Sequence, residues 1–234
     1  IQTFAVKGGK VKELGEKEEK SDNRSTNLIA EELEGEEEII LSAQQALPEQ
    51  LNQIPLYLQP QSFFQTQPVL AAKLYQTAAD WAAQIQQQQG EFNEIWDLFC
   101  GVGGFGLHLA KAGQTLIGIE IAPKAIESAL RSAAELGLEQ VQFQALDSTA
   151  FTKAAQQAPD LLVVNPPRRG LGQALCLDIE RLAPHWLIYS SCNAQSLAQD
   201  LQWLVDYKLL KFQLFDMFAH SNHFEVLTLL VRKS

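Results

Sequence analysis

The fold is decided by the stretch Asp-Leu-Phe-Cys-Gly-Val-Gly-Gly-Phe-Gly at residues 97–106. A predicted strand, Glu94–Phe99, leads into its glycines, and a predicted helix follows them. Gly101, Gly103 and Gly106 match the spacing G-x-G-x-x-G, in which glycines let the backbone approach a ligand closely. The helix that follows offers free N–H groups at its start. The stretch therefore predicts a strand–turn–helix unit that binds a nucleotide-type cofactor.

Strand and helix segments alternate outward from this turn. An amphipathic helix at 65–89 precedes the turn, and two strands close the chain without a helix between them. The predicted strands are 94–99, 115–120, 141–145, 161–165, 186–190, 212–217 and 224–231, and the helices between the first six end near residues 112, 136, 157, 182 and 207. This alternation is typical of a parallel sheet covered on both faces. We expect a seven-stranded, Rossmann-like α/β fold with an antiparallel hairpin at the sheet edge.

The first 60 residues differ in composition from the rest. Their apolar segments at 1–6 and 38–41 predict two strands of a small sheet, and 54–58 predicts another extended piece. The polar segment 7–38 predicts a mobile loop or insertion without a packed element. We therefore expect part of a small β-rich domain at 1–60 and an α/β domain at 61–234. Because the chain begins at Ile1 rather than Met, we expect an upstream segment to be missing.

Composition argues against several classes of protein. The net charge is −10, and residues 1–50 carry 6 basic and 12 acidic residues, which argues weakly against a broad nucleic-acid-binding face. No apolar run reaches the ~20 residues of a membrane span, and no signal peptide opens the chain. Cys100, Cys176 and Cys192 are too few for a four-cysteine metal site and too widely spaced for a disulfide framework. We expect a cytoplasmic protein with no membrane partner and no obligate protein partner.

Two carboxylates beside the glycine turn narrow the choice of cofactor. Glu120 ends the second predicted strand, where a carboxylate can accept hydrogen bonds from both hydroxyls of a ribose. Asp97 stands just before the turn, and a carboxylate there suits a cationic ligand better than a pyrophosphate. An NAD-type cofactor and S-adenosylmethionine both fit the turn and Glu120, and Asp97 favours S-adenosylmethionine.

Two polar loops follow the fourth and fifth predicted strands. In the loop 165–170 two prolines hold Asn165 extended, and Arg168 and Arg169 are suitable phosphate contacts. Cys192 follows the fifth strand at the start of a helix, where the helix dipole favours a thiolate. Since parallel sheets bind ligands at the carboxyl ends of their strands, we expect both loops to lie beside the glycine turn.

The last predicted strand carries a carboxylate among apolar residues. Glu225 stands between Phe224 and Val226, and a buried carboxylate is costly unless it is paired or used in chemistry. Glu225 is therefore a candidate general base. His220, His223 and Glu225 match no strong metal-ligand spacing, so we expect no metal site.

The motifs of this sequence resemble those of the bacterial RNA uracil-5 methyltransferases, and most narrowly of the type that acts on 23S ribosomal RNA. They are Asp-Leu-Phe-Cys-Gly at 97–101, Asn-Pro-Pro-Arg-Arg-Gly at 165–170, Ser-Ser-Cys-Asn-Ala-Gln at 190–195, the ending from Asp216 to Leu230, and Ser-Phe-Phe-Gln-Thr-Gln at 62–67. The resemblance covers about residues 36–234. It implies a class I S-adenosylmethionine-dependent methyltransferase fold.

The resemblance also implies roles for individual residues. Cys192 would be the nucleophile that adds to C6 of the target uracil, and Glu225 would take the proton from C5. Gln65, Phe99, Glu120 and Asn165 would contact S-adenosylmethionine, and we add Asp97, Gly101, Gly103 and Asp147 to this cofactor set. Arg168 and Arg169 would contact the RNA, with 23S ribosomal RNA as the partner. The family's iron–sulfur cluster belongs to an N-terminal part whose cysteines have no counterpart in this chain. The resemblance therefore implies a C-terminal fragment, with the remnant of a central domain at 1–60 and the catalytic domain at 61–234.

Two other functions stay open at this point. An NAD-dependent oxidoreductase could use the same glycine turn, although it needs neither the Asn165 loop nor Cys192. A catalytically inactive RNA-binding module could keep the same fold, although an intact Cys192 and Glu225 argue against it.

Overall fold

The computed structural model describes residues 3–7, 10–13, 37–40, 46–59, 67–217 and 224–233. Gln65, His220 and His223, which the sequence singled out, lie outside the described residues. The chain divides into two compact units, Ile1–Leu47 and Pro48–Ser234, and each is described by itself. The division into a partial central domain and a catalytic domain near residue 60 stays a prediction. In the part of the chain that is described, no helix is long and apolar enough to cross a bilayer.

The first unit contains a three-stranded antiparallel sheet in the order β2-β1-β3. Its strands are β1 (Thr3–Lys7), β2 (Lys10–Glu13) and β3 (Glu37–Ile40). The prediction that 7–38 holds no packed element is wrong at Lys10–Glu13, because these residues pair with Phe4 to Lys7 of β1. The sequence signal for this hairpin was Gly8-Gly9, a dipeptide typical of two-residue turns.

From Leu47 onward the elements follow the predicted alternation. The strands are β4 (Leu47–Leu51), β5 (Ile54–Leu58), β6 (Glu94–Leu98), β7 (Thr115–Glu120), β8 (Val141–Ala145), β9 (Leu161–Val164), β10 (Trp186–Ser191), β11 (Tyr207–Phe215) and β12 (Glu225–Arg232). The helices are α1 (Pro68–Gln89), α2 (Gly104–Leu109), α3 (Pro123–Glu135), α4 (Ser148–Ala154), α5 (Gly172–Leu182) and α6 (Ala194–Trp203). β4 and β5 pair with each other as a short hairpin.

β6 lies near the centre of a seven-stranded sheet whose order is β11-β12-β10-β9-β6-β7-β8. The strands from β6 to β10 are parallel, and Trp96 of β6 pairs with Ile117 on one side and Leu162 on the other. β12 runs antiparallel to both β10 and β11, which confirms the predicted edge hairpin. The chain leaves β6 toward β7 on one side and later returns to β9 on the other. Such a reversal opens a crevice at the carboxyl end of β6, where α/β sheets bind ligands.

Helices cover both faces of this sheet. Ile95 and Leu161 pack on the face of α1, α2 and α3, whereas Trp96 and Leu162 pack on the face of α5 and α6. Because successive residues of a strand point to opposite faces, a strand covered on both faces is apolar throughout. All four residues of β9 are buried for this reason.

One predicted boundary near the C-terminus is wrong. The helix that begins at Ala194 ends at Trp203 instead of near residue 207, and β11 already begins at Tyr207. Tyr207 pairs with Arg232 of β12, and its hydroxyl donates to the Pro184 carbonyl oxygen at 2.7 Å. Pairing with a strand distant in sequence therefore decides where the helix stops.

Candidate active site

The carboxyl ends of β6, β7 and β9 bring most of the predicted site residues to one edge of the sheet. Backbone hydrogen bonds continue past the strand ends. The Asn165 amide donates to the Leu98 carbonyl oxygen at 3.2 Å, and the Cys100 amide donates to the Ile119 carbonyl oxygen at 3.0 Å. The loop that begins at Asn165 is therefore held directly beside the glycine turn, where the sheet topology predicts it.

The glycine turn is held in a strained shape between β6 and α2. Phe99 has a φ of 60°, a conformation that costs on the order of 1–3 kcal/mol for a non-glycine residue and clusters at functional sites. Gly103, immediately before α2, has a φ of 86°, which side-chain-bearing residues rarely adopt. A Cβ at Gly104 would lie 2.6 Å from the Tyr75 ring, so this tyrosine of α1 packs against the backbone of the turn.

Asp97 is a buried carboxylate at the end of β6. Its Oδ2 accepts a hydrogen bond from the Gly106 amide at 2.8 Å, whereas its buried Oδ1 has no partner among the described residues. Burial raises the pKa of Asp97 to about 7; the Gly106 amide lowers it and the charge of Glu120 raises it. An unpartnered buried carboxylate oxygen fits a cationic ligand group. S-adenosylmethionine carries two such groups, its sulfonium and its ammonium, so the residues present fit this cofactor.

Glu120 is the last residue of β7, and the backbone of the site fixes its carboxylate. Oε2 accepts a hydrogen bond from the Gly101 amide at 3.2 Å, and Oε1 accepts one from the Ala122 amide at 3.0 Å. Each carboxylate oxygen can accept a further hydrogen bond. Glu120 is thus oriented and still able to receive the two hydroxyls of a ribose.

Asp147 differs from the other predicted cofactor residues. It follows β8 at the same edge of the sheet, but it is exposed, and its Oδ1 accepts a hydrogen bond from the Ala150 amide at 2.9 Å as the cap of α4. The structure therefore brings the glycine turn, Glu120 and Asn165 together and gives Asp147 a helix-capping contact.

Asp200 anchors the loop 165–170, and sequence reasoning did not identify it. Its Oδ2 accepts hydrogen bonds from the Tyr189 hydroxyl at 2.6 Å and the Leu171 amide at 2.8 Å, and its Oδ1 accepts one from the Gly172 amide at 3.0 Å. The side chain of Asp200 is buried. Because hydrogen bonds to a charged group are stronger than neutral ones, these three fix the path of the chain between the loop and α5.

Cys192 lies between β10 and α6, beside Arg168. Asn193 ties the two segments together, because its Nδ2 donates to the Arg168 carbonyl oxygen at 3.1 Å while its Oδ1 accepts from the Gln195 amide at 3.0 Å. Burial raises the pKa of the Cys192 thiol, the charge of Glu225 raises it further, and Arg168 lowers it. The expectation of a thiolate from the helix dipole is thus corrected: burial and the nearby carboxylate outweigh the groups that favour the thiolate.

Glu225 is the first residue of β12 and lies close to Cys192. The antiparallel register pairs Ser191 with Val226, which brings the end of β10 beside the start of β12. Glu225 is buried, and its Oε1 accepts a hydrogen bond from the Ser190 hydroxyl at 2.5 Å. Burial raises the pKa of Glu225 to about 7, and the bond from Ser190 lowers it. A carboxyl with this pKa can take up and release a proton near neutral pH.

Comparison with known proteins identifies the family of this chain. The model of the tRNA (uracil-5-)-methyltransferase family matches residues 36–233. The 23S rRNA (uracil(747)-C(5))-methyltransferase RlmC of Pectobacterium atrosepticum is 57% identical over 200 residues, which cover 86% of this chain and 52% of the relative. RlmC of Salmonella typhi is 56% identical over 200 residues, with coverage of 86% and 52%. The chain spans about half the length of the curated relatives it matches.

Solved structures agree with this assignment. The tRNA (uracil-54, C5)-methyltransferase of Pyrococcus abyssi, in complex with S-adenosyl-L-homocysteine, is 30% identical at a TM-score of 0.69 and covers 80% of this chain and 44% of that chain. A SAM-dependent methyltransferase of Agrobacterium tumefaciens shares the fold, at 13% identity and a TM-score of 0.61, covering 82% of this chain and 72% of that chain. These likenesses confirm the class I methyltransferase fold. The chain belongs to the tRNA (uracil-5-)-methyltransferase family.

Proposed function

We propose that this chain transfers a methyl group from S-adenosylmethionine to C5 of a uridine in 23S ribosomal RNA. The observation that carries the proposal is the proximity of Cys192, which follows β10, to Glu225 at the start of the neighbouring strand β12. They supply a nucleophile and a base, the two groups that substitution at C5 of a uracil requires. The family of the chain and the 23S rRNA named for its relatives support the same substrate.

The glycine turn, Asp97 and Glu120 would hold S-adenosylmethionine, with Phe99, Asn165, Gln65 and Asp147 as further proposed contacts. When bound, this cofactor supplies the methyl group as an electrophile. Glu120 would accept hydrogen bonds from the ribose hydroxyls while the Gly101 and Ala122 amides keep it oriented. Asp97 would become ionised beside the positive charge of the ligand, since an adjacent cation lowers the pKa of a carboxyl group.

Cys192 opens the reaction as a thiolate. Its Sγ forms a bond to C6 of the uracil, and the electron pair of the C5–C6 double bond moves to give an enolate that is nucleophilic at C5. Arg168 assists because its positive charge favours the thiolate. Arg168 and Arg169 are both exposed, which suits contacts with RNA phosphates. The target uridine must leave its base stack to reach Sγ.

Glu225 closes the reaction. Once C5 has gained the methyl group, the carboxylate takes the C5 proton and the C5–C6 double bond forms again. The C6–S bond breaks at the same time, and its electron pair returns to Sγ of Cys192. Glu225 then releases the proton to solvent, which its pKa of about 7 allows.

Transfer of a tritiated methyl group to a 23S ribosomal RNA fragment tests the proposal. We expect nuclease digestion and mass spectrometry to identify 5-methyluridine as the product. Cys192→Ala should abolish turnover, whereas Cys176→Ala, which removes a buried thiol from α5, is the matched control and should retain it. Turnover by Cys192→Ala at the wild-type rate, or methylation of a base amine, would contradict the proposal.

A further inference from the structure

Ser190 donates a hydrogen bond from its hydroxyl to Oε1 of Glu225 at 2.5 Å. Both side chains are buried, with exposed fractions of 0% and 2%. Hydrogen bonds to ionised groups are shorter and stronger than neutral ones, so this bond stabilises a buried carboxylate. It links the strand that leads to Cys192 directly to the proposed base.

The pairing of β10 with β12 fixes this bond. Ser190 lies opposite Leu227, two residues beyond Glu225, so its side chain reaches the start of β12. Ser190 itself is fully buried, and a buried hydroxyl is costly without a hydrogen-bond partner. A serine at this position is therefore explained by its bond to Glu225 rather than by packing.

The groups that face Glu225 come from several elements. Tyr75 lies on α1 and Cys192 follows β10; burial raises the pKa of both, and the charge of Glu225 raises both further. Phe215, which pairs with Glu225 from β11, carries no charge. Among the described residues, Ser190 is the group that favours the ionised carboxylate, against the burial that raises its pKa to about 7.

We propose that Ser190 is a positioning residue for the base: its hydroxyl holds Oε1 and keeps Glu225 ionised, so that Oε2 takes the C5 proton. This inference rests on the proposed function, in which Glu225 ends the reaction. Ser190 acts through Glu225, and its loss leaves the nucleophile Cys192 in place. Without it, proton removal from C5 should slow, and most strongly at low pH.

Ser190→Ala tests this role through two readouts. The first is the titration of Glu225 in the chain alone, followed by NMR of ¹³C-labelled glutamate side chains and assigned with Glu225→Gln. The titration midpoint of the Glu225 carboxyl should rise from about pH 7 in the wild type by about one to two pH units, because the ionised carboxylate loses a hydrogen bond. The second is the pH profile of methyl transfer, which should move by the same amount. Turnover at pH 7 should fall by about five- to fiftyfold.

Two matched variants separate the role of Ser190 from general damage to the sheet. Thr228→Val removes a buried hydroxyl that donates to the Tyr189 carbonyl oxygen at 3.0 Å between the same two strands, and it should leave both readouts unchanged. Ser190→Thr keeps the donor and should retain the wild-type midpoint. Ser190→Cys keeps the volume with a weaker donor and should give an intermediate midpoint, which provides a second test if Ser190→Ala does not fold.

An unchanged midpoint and pH profile in Ser190→Ala would overturn this inference and leave the proposed function standing. An equal rise in Thr228→Val would also overturn it, because the effect would then come from loosening the strands. Failure of Glu225→Gln to accumulate methylated RNA on Cys192 would instead overturn the proposed function itself.

Discussion

The affinity for S-adenosylmethionine should depend on the ionisation of Asp97. Burial raises the pKa of this carboxyl to about 7, and its Oδ1 has no partner among the described residues. A cationic ligand requires the ionised form, so binding releases a proton and weakens as the pH falls through 7. With a pKa of 7, Asp97 is ~90% ionised at pH 8 and ~10% ionised at pH 6. The affinity should therefore fall about tenfold between pH 8 and pH 6, or ~1.4 kcal/mol.

Isothermal titration calorimetry at pH 6, 7 and 8 measures this dependence, and buffers of different ionisation enthalpy give the number of protons released. Asp97→Asn removes the ionisable group, so it should bind weakly and keep only the ligand's own pH dependence. Asp160→Asn is the matched control, because Asp160 accepts hydrogen bonds from the Asn93 and Glu94 amides at the start of β6. A tenfold dependence that survives in Asp97→Asn, or a wild-type affinity that is constant from pH 6 to 8, would refute the reasoning.

The same carboxyl should make the unliganded fold sensitive to pH. Its pKa is 3.8 in the reference state and about 7 when folded, so the folded chain binds the proton more tightly than the unfolded chain. Stability is therefore lost as the pH rises from about 4 through 7, with a penalty from Asp97 of ~4 kcal/mol at pH 8. In scanning calorimetry, Tm should rise on going from pH 8 to pH 6, and it should rise less in Asp97→Asn.

Three further changes test other parts of the site. Glu120→Gln replaces an accepting oxygen by a donor, so the affinity for S-adenosylmethionine should fall about ten- to a hundredfold in calorimetry, and an unchanged affinity would exclude Glu120 from the site. Asp200→Asn places an amide N–H against the N–H and O–H donors around it. The free energy of unfolding in urea should therefore fall by ~1–3 kcal/mol, and methyl transfer should slow. An unchanged free energy of unfolding would exclude the anchoring role of Asp200. Gly104→Ala places a Cβ 2.6 Å from the Tyr75 ring. It should cost about 1–3 kcal/mol of unfolding free energy, and Tyr75→Leu in the same chain should recover part of that loss.

Much of the fold could be predicted because each buried strand is a short apolar run between turn residues. β7 and β8 begin and end where the sequence predicts, at Thr115–Glu120 and Val141–Ala145. The start of β11 and the strand Lys10–Glu13 could not be predicted in this way. Both are set by pairing with another strand, about which the composition of polar or mixed segments carries little information. For Lys10–Glu13 the local signal was the turn dipeptide Gly8-Gly9 rather than the strand residues themselves.

The position of the site followed from topology, but its contacts did not. Asp200 shares the buried face of α6 with Ser196 and Leu197, a spacing that indicates a buried carboxylate. Its donors come from other segments, so its anchoring role is visible only in the folded chain. The pKa of Cys192 depends likewise on burial and on Glu225, neither of which the position before a helix reveals.

The covalent route through Cys192 is tested most directly by intact-mass analysis of Glu225→Gln after incubation with S-adenosylmethionine and a 23S ribosomal RNA fragment. Cys192→Ala combined with Glu225→Gln serves as the negative control, and Glu180→Gln, a half-buried glutamate on α5, serves as the control that turns over normally. Denaturing gels should show a slowly migrating band for Glu225→Gln alone. Peptide mapping should find C5-methylated RNA attached to Cys192, because the nucleophile remains and the proton acceptor is gone. Free Cys192 together with wild-type turnover in Glu225→Gln would contradict the mechanism.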